Sequence, residues 1–552
     1  MYCVLVRLTR RTNIPNSYWR SSSTAATVTT ATAATASWTK TAAVHPRDHG
    51  AAVSRLLQQV SVTCLPGLES VLSQELTMLG IPPHPSPASS SSSKRTTKKN
   101  RKNQHEQHAK KNGIIHLPST TTIEEVFRCC LYLGSASQLR VRVSSFTARG
   151  LSELQRKTGQ SFAWEELFVR GNTTTVDDKD DDATRTRTRT SEQGADESLS
   201  SRLEVRVKAS KSKLYHSGAI RERIVQGIQE QLERHGPNHH NNNNNTHTGT
   251  RGRGTGAEEK GADRIVLDVD VYRDQVQIFL TAFPTPLHRR GYRLAQGKAP
   301  LREDVAFAML FMAGWYPAWM PHTGPSSSPV WDGLIDPFCG SGTIGIEGAA
   351  MKLGLPPGRL KHQTSPFTGT VLADFHQWSH AVSLAAAAAA TATNKARGPR
   401  QFVSVSDRNA GAINATLANA RSAGVLEALI IETAALSNQR WFDPHPSDAP
   451  SSLLVVTNPP FGKRIKTSSA SLSSDRGLLT LYQSLGHCMQ RLVTHQKDNN
   501  IDTRRELGGI VLTNNAQILS RTGASFIRYK TQFKTFHGGI KVWAMKFNLR
   551  NC

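Results

Sequence analysis

The sequence predicts an α/β protein. Its carboxyl-terminal domain is built on a mostly parallel, seven-stranded sheet ending in a β-hairpin, and a smaller α+β region precedes it. Three observations lead there. From about residue 284, short apolar runs alternate with stretches of helical spacing, the pattern of an open sheet with crossover helices. The closing segment "FIRYKTQFKTFHGGIKVWAMKFNL" sets His537-Gly538-Gly539 between two alternating runs, as a hairpin requires. Ahead of residue 284, alternating strands and a few helices are interrupted by polar low-complexity tracts.

In chain order, "VSVTCLPGLESVLSQELTMLG" (60–80) reads as a strand, a Pro-Gly turn and a helix whose Leu68, Val71, Leu72, Leu76 and Leu79 share one face. Gly80 and Pro82 end it. "NGIIHL" is a strand, "TIEEVFRCCLYL" a helix and "QLRVRVSSF" an alternating strand. "SRLEVRVKAS" (201–210) repeats that alternation, and the next segment carries Ile220, Ile224, Ile228 and Leu232 at helical spacing. "RIVLDVDVYRDQVQIFLTAF" (264–283) gives two strands about a tight turn at Arg273-Asp274. The carboxyl-terminal strands fall at 330–335, 401–406, 428–432, 453–457 and 508–513, with the hairpin completing seven.

The net charge of +26 favours a polyanionic partner. Residues 1–50 (six basic against one acidic) and 94–111 (eight against one) hold 12 of those charges, leaving +14 for the rest. The first 47 residues contain no acid and are rich in Arg, Ser, Thr and Ala, which reads as a transit peptide for a chloroplast or mitochondrion. No run of 18 apolar residues suggests a membrane span. The seven cysteines include no CxxC pair and no Cys/His ligand spacing, so no metal site is expected.

Two short stretches carry chemistry. "LIDPFCGSGTIGIEGA" (334–349) follows a strand and opens a helix, where backbone N–H groups of a glycine loop suit a ligand that approaches the main chain closely. Gly340, Gly342 and Gly345 also spell GxGxxG, so a dinucleotide site is a rival, weakened because no acid follows about 20 residues on for a ribose. The distinctive feature is Asp336 before the glycines, followed by Pro337 and Phe338. In "LLVVTNPPFG" (453–462), prolines lacking an N–H force the strand to stop at Asn458.

Together "DPFCGSGTIGIEGA" and "NPPFGKRI" resemble the paired loops of class I methyltransferases that act on planar amino groups. The resemblance implies that Asp336, Pro337, Phe338, Cys339, Gly340, Gly342 and Thr343 hold S-adenosylmethionine. It further implies that the Asn458 side-chain oxygen and the Pro459 carbonyl accept the two N–H bonds of the target amine, that Pro460 stiffens the loop, and that Phe461 stacks on an unstacked base. For the ribose, Asp374 in "GTVLADF" competes with Asp407 in "FVSVSDRNAGAINATLANARSAGV"; the latter aligns better, with Asn409 beside it. Members often carry an acid where Asn409 stands, and the acid expected after the third strand is missing, with Ala434 near its place.

"TCLPGLESVLSQEL", "GIIHL", "LYHSGAIRERI", "TPLHRRGYRLAQGKAPLREDVAFAMLFMAGW" and "FHQWSHAV" resemble successive blocks of one bacterial-type family, the THUMP-domain large-subunit ribosomal RNA guanine-N2 methyltransferases. The similarity runs from about 60 to 548. With the leader read over 1–50, the resemblance implies a ferredoxin-like region over 55–150, interrupted by a disordered low-complexity insertion at 84–112. An RNA-gripping THUMP domain would cover 151–283, with insertions at 172–198 and 236–261, and a Rossmann-like catalytic domain 284–552. The implied activity is methyl transfer to the exocyclic N2 of guanine in large-subunit rRNA. Arg289, Arg290 and Arg293 of "HRRGYR", with Lys208, Lys211 and Lys213, are candidate phosphate contacts, a solvated basic linker being the alternative. Tyr215 or Tyr292 is a candidate for stacking on a base, or else a core residue. The rivals are an adenine-N6 or other amino-group methyltransferase with the same loop, and an RNA-binding ribosome-assembly factor whose catalytic domain has degenerated.

Overall fold

A computed structural model describes residues 50–83, 113–168, 202–235, 264–295, 300–320, 331–361, 364–395, 402–439, 451–461, 471–493, 506–522 and 527–549. The expected leader, Gly50 apart, and the three insertions lie outside these residues. No described helix is long and apolar enough to cross a membrane.

The first sheet has six strands: β1 (Val60–Cys64), β2 (Ile114–His116), β3 (Ala136–Thr147), β4 (Leu203–Ser210), β5 (Ile265–Tyr272) and β6 (Gln275–Thr281). Their order is β2-β1-β3-β6-β5-β4. Only β4 and β5 pair in parallel, and the helix Ser217–His235 makes the crossover between them. Ile220, Ile224 and Ile228, read from the sequence as one apolar face, are fully buried. The turn between β5 and β6 falls at Arg273-Asp274, both at positive φ (49° and 63°), the conformation that suits the twist of a two-residue hairpin.

The boundary expected at residue 150 does not separate two sheets. The 12-residue β3 pairs with β1 along its first half and with β6 along its second, so the two front regions form one layer. Alternation identifies each strand but not its neighbour, which is why the shared sheet was not legible. A helix at Gly50–Leu57 was also unforeseen; Arg55 in it pairs with Glu166 at 2.7 Å.

The second sheet has seven strands: β7 (Gly333–Asp336), β8 (Phe402–Asp407), β9 (Leu429–Thr433), β10 (Ser452–Thr457), β11 (Glu506–Thr513), β12 (Lys530–His537) and β13 (Ile540–Leu549). The order is β12-β13-β11-β10-β7-β8-β9, parallel from β11 to β9, with β13 antiparallel to β11. Both faces are covered, so β10 is buried at all six positions, as its unbroken apolar run requires. Sequence order reverses between β7 and β10, and in such sheets ligands bind outside the carboxyl ends at that switch point.

The helix Glu303–Ala313, buried at nearly every position, lies between the two sheets. A Cβ on Gly134 would meet the Phe307 ring at 2.2 Å, so front region and helix are in intimate contact. Asp304 accepts from Ser137 Oγ at 3.1 Å and pairs with Arg302 at 2.6 Å. Trp378 closes the same seam edge-on against Phe127, with ring centroids 6.0 Å apart.

Candidate active site at the carboxyl edge of the sheet

The glycine loop begins at Asp336, the last residue of β7, which is 1% exposed. Burial pushes its carboxyl up to about 7, while hydrogen bonds from Thr457 Oγ1 (2.7 Å) and the Phe338 N–H (3.3 Å) act the other way. Thr457 immediately precedes Asn458, so one hydrogen bond ties the two motifs together at the switch point.

Beyond Asp336 the main chain is held from several sides. The Cys339 N–H donates to the Ser406 carbonyl at 3.0 Å, and the Gly340 N–H to Asp407 Oδ2 at 3.1 Å. Thr416 Oγ1 donates to the Gly340 carbonyl at 2.9 Å, and Asn419 Nδ2 to the Ser341 carbonyl at 3.0 Å. Gly342 sits at φ +82°, and a Cβ there would stand 2.7 Å from the Thr416 methyl, so both conformation and space require glycine. Gly340, at φ +56°, has nothing within 4 Å of where a Cβ would be, which leaves its surface open to a ligand. Thr343 is buried and accepts from Arg293 at 3.1 Å.

Asp407, half-buried at the end of β8, accepts from Gly340 and, through Oδ1, from the Asn409 N–H at 2.9 Å. Asn409 is exposed and caps the helix Ala410–Ser422, accepting from the Gly411 N–H at 2.9 Å. Asp374 instead caps the helix Phe375–Lys395 through the Gln377 N–H at 2.8 Å. The carboxylate beside the glycine loop is therefore that of Asp407. Ala434 does follow β9, donating its N–H to the Asp407 carbonyl at 3.0 Å. Glu432, two residues earlier, has a buried Oε2 with no hydrogen-bond partner among the described residues. Cys339 is buried and its thiol is pushed well above its ordinary value by desolvation, which suits packing rather than nucleophilic work.

The second loop is finished differently. Asn458 Oδ1 is buried and without a hydrogen-bond partner among the described residues. Pro459 is buried, Pro460 exposed and Phe461 half-buried, its ring edge-on to His537 of the terminal hairpin at 6.0 Å. Asn514, just past β11, donates Nδ2 to the Phe461 carbonyl at 3.4 Å, while its own Oδ1 is buried and has no hydrogen-bond partner among the described residues. Asn514 is not singled out from the sequence, and His537 is read there only as a residue of the terminal turn. "LTNNAQ" after a buried strand was the available signal for the first, and nothing short of strand pairing identifies the second.

The arginines expected to meet phosphate divide. Arg290 is 1% exposed, and its guanidinium serves the interior, donating to the Leu287 carbonyl at 3.0 Å and the Gly134 carbonyl at 2.5 Å and lying 3.5 Å from Glu347. It is a structural residue, not a phosphate contact. Arg293 is spent on Glu303 (3.0 Å), the Leu301 carbonyl (2.8 Å), Ser341 (3.3 Å) and Thr343 (3.1 Å), so it braces the glycine loop. Arg289 is exposed and, with His288, Arg302 and Lys361, lines a cavity of about 680 Å³ formed by the segments around 283–303 and 360–364. Burial, aided by Arg290 and Arg289, lowers the Lys361 ammonium to about 8, as expected of crowded cations. Tyr292 is buried and donates to Glu347 at 3.1 Å, whereas Tyr215 is 71% exposed. Lys208, Lys211 and Lys213 are all exposed on β4 and the loop leading to Tyr215.

Known proteins share this architecture. Ribosomal RNA large subunit methyltransferase K/L of Marinomonas sp. (strain MWYL1) is 29% identical over 294 residues, covering 53% of this chain and 35% of that protein. The protein of the same description from Psychrobacter cryohalolentis is 26% identical over 448 residues, 78% of this chain and 46% of its own length. The chain thus spans less than half of either relative. The solved structure of SMU.472, described as "a putative methyltransferase complexed with SAH", matches with a TM-score of 0.55 at 18% identity, over 90% of this chain and 98% of that one. A family model described as "RMKL-like, methyltransferase domain" matches residues 290–501, which hold both loops. The match to the RMKL-like methyltransferase domain thus covers less than half of the chain, the part that carries both loops.

Proposed function

We propose that this chain transfers a methyl group from S-adenosylmethionine to the exocyclic N2 of a guanine in large-subunit ribosomal RNA. The observation that carries the reading is the buried Asn458 Oδ1, which has no hydrogen-bond partner among the described residues and stands at the switch point next to Thr457, itself bonded to Asp336 of the glycine loop. A buried acceptor without a donor is costly, by about 1–3 kcal/mol, and an N–H of the substrate would relieve it.

The donor site suits S-adenosylmethionine. The main chain is open over Gly340, and each Asp407 oxygen keeps a second lone pair free of its backbone bond for a ribose hydroxyl. When bound, that molecule supplies an electrophilic methyl on sulfonium. An amine conjugated with a purine is a weak nucleophile, so alignment is most of the catalytic task. Asn458 Oδ1 and the Pro459 carbonyl would accept the two N–H bonds, orient the nitrogen lone pair, and stabilise positive charge as the N–C bond forms and the sulfur–methyl bond breaks, leaving S-adenosylhomocysteine. Phe461 takes the base that has left its own stack. The nitrogen then loses one proton to solvent.

RNA is proposed to reach this edge across the front region, with phosphates meeting Arg289 in the cavity it lines and the exposed Lys208, Lys211 and Lys213, and Tyr215 offering a stacking face. An organellar destination is proposed from the acid-free leader. A second reading, an assembly factor that binds RNA without methylating it, is favoured by Ala434 where an acid is expected. The deciding experiment gives the purified chain labelled S-adenosylmethionine and unmodified organellar large-subunit rRNA, then digests to nucleosides for mass spectrometry. Label in N2-methylguanosine is expected. Label in N6-methyladenosine would keep the mechanism and overturn the base, and RNA binding without any label would favour the assembly factor.

A further inference from the structure

We infer that Asn514 selects guanine, its Oδ1 accepting the ring N1–H beside the methylated amine. The inference rests on the guanine-N2 reading and adds what distinguishes that base from others bearing an amine.

β10 and β11 are neighbouring parallel strands with Thr457 paired to Val511. Asn458 and Asn514 therefore leave the same sheet edge from adjacent strands, one and three residues beyond that pair. Both carry a buried amide oxygen without a hydrogen-bond partner among the described residues. The Asn514 amide is not free to turn over. Its Nδ2 donates to the Phe461 carbonyl at 3.4 Å, and the reverse orientation would set oxygen against oxygen. The NPPF loop thus dictates that Asn514 offers an acceptor and not a donor. Asn515 takes the local structural duties at this corner, accepting the Ile518 N–H at 3.0 Å and donating its own N–H to Thr513 Oγ1 at 3.0 Å, and so leaves Asn514 Oδ1 unused.

The Watson–Crick edge of guanine presents the N2 amine next to N1–H, two donors side by side. Adenine and cytosine each present their amine next to a ring-nitrogen acceptor. A pair of adjacent acceptors matches guanine alone, and against the other two it opposes lone pair to lone pair. Sites that hydrogen-bond a substrate discriminate strongly for this reason, because a mismatch leaves a buried polar group unpaired.

The test first maps the guanosine methylated by the wild-type chain. A stem-loop RNA is then made with either guanine or 2,6-diaminopurine at that position. The second base keeps the 2-amino group but has an acceptor at N1. The wild-type chain is expected to prefer guanine by at least tenfold in kcat/KM, and Asn514→Ala to reduce that preference at least fivefold. A ratio of two substrates does not depend on how much of the variant is folded, and S-adenosylmethionine binding by calorimetry reports folding separately. If Asn514→Ala lowers both rates equally, or the wild-type chain shows no preference, the inference is overturned while guanine methylation stands. If the wild-type chain methylates no guanosine, the functional reading fails first and this inference with it.

Discussion

The two loops that meet at the sheet's carboxyl edge are opposites in how their polar groups are used. In the glycine loop, the Cys339 and Gly340 N–H groups and the Gly340 and Ser341 carbonyls are all bonded to neighbouring elements, and Arg293 clamps Ser341 and Thr343 from outside. In the NPPF loop, stiffness comes from Pro459 and Pro460, and Asn458 Oδ1, one of the two proposed acceptors, has no donor among the described residues. The difference teaches what each loop is asked to do. A donor site must keep its shape around a large flexible molecule, so its bonds are internal. In the proposed reaction the acceptor for the amine keeps its lone pair for the transition state, which matches a bond withheld.

The largest expected effect breaks the second loop alone. Asn458→Ala should lower the rate of methyl transfer by about 10²–10³-fold, comparable to losing one oriented group at a reacting centre, while the S-adenosylmethionine dissociation constant stays within twofold. Single-turnover methylation and calorimetry on the same preparation test both halves. A matching loss of cofactor affinity would mean that the loops are not separable. Next, Asp407→Ala removes the acceptor for the Gly340 N–H of the first loop, the acceptor for the Asn409 N–H at the following helix cap, and the proposed ribose contact. Cofactor binding should weaken by about 10–100-fold, at roughly 1.5–3 kcal/mol for hydrogen bonds to a charged group.

Gly342→Ala sharpens the structural side. A Cβ 2.7 Å from Thr416 at a φ of +82° should destabilise the fold by about 1–3 kcal/mol, read as a lowered Tm. Asp336→Asn should produce a subtler change, visible in pH dependence. The Asp336 carboxyl is raised from 3.8 to about 7 by burial, so between those values the folded state holds a proton that the unfolded chain has released. Its stabilising contribution is complete below about pH 4 and is lost as pH rises towards 7. The asparagine, which keeps both acceptor contacts, should flatten that fall when melts at pH 5 and pH 8 are compared. The smallest effect concerns the outer surface. Arg289→Ala should leave stability within about 0.5 kcal/mol and reduce the salt slope of RNA binding by about one unit.

Both motifs and the strands carrying them were legible because their chemistry is local. Asp336, Pro337 and three glycines announce a strand-to-helix ligand loop, and a double proline shortly after the apolar run Leu453–Val456 announces where β10 must stop. The terminal hairpin was equally local, its turn falling at Gly538-Gly539. What sequence concealed depends on pairing. Arg290 and Arg293 look like surface cations in "HRRGYR", and only the fold brings Glu347 and Glu303 against them. The single front sheet was hidden because β3 gives no sign that it will serve two neighbours. Asn514 was hidden likewise, because its neighbour on β10 lies more than fifty residues away in the chain.

The Asp336–Thr457 hydrogen bond has a kinetic consequence. It fixes the spacing between the ends of β7 and β10 from within the protein, with no atom of either substrate taking part. Neither substrate therefore has to build the other's half of the pocket. The coupling free energy between the methyl donor and the nucleic acid is expected to be near zero, and a steady-state analysis should find random-order binding in which each KM is independent of the other substrate's concentration.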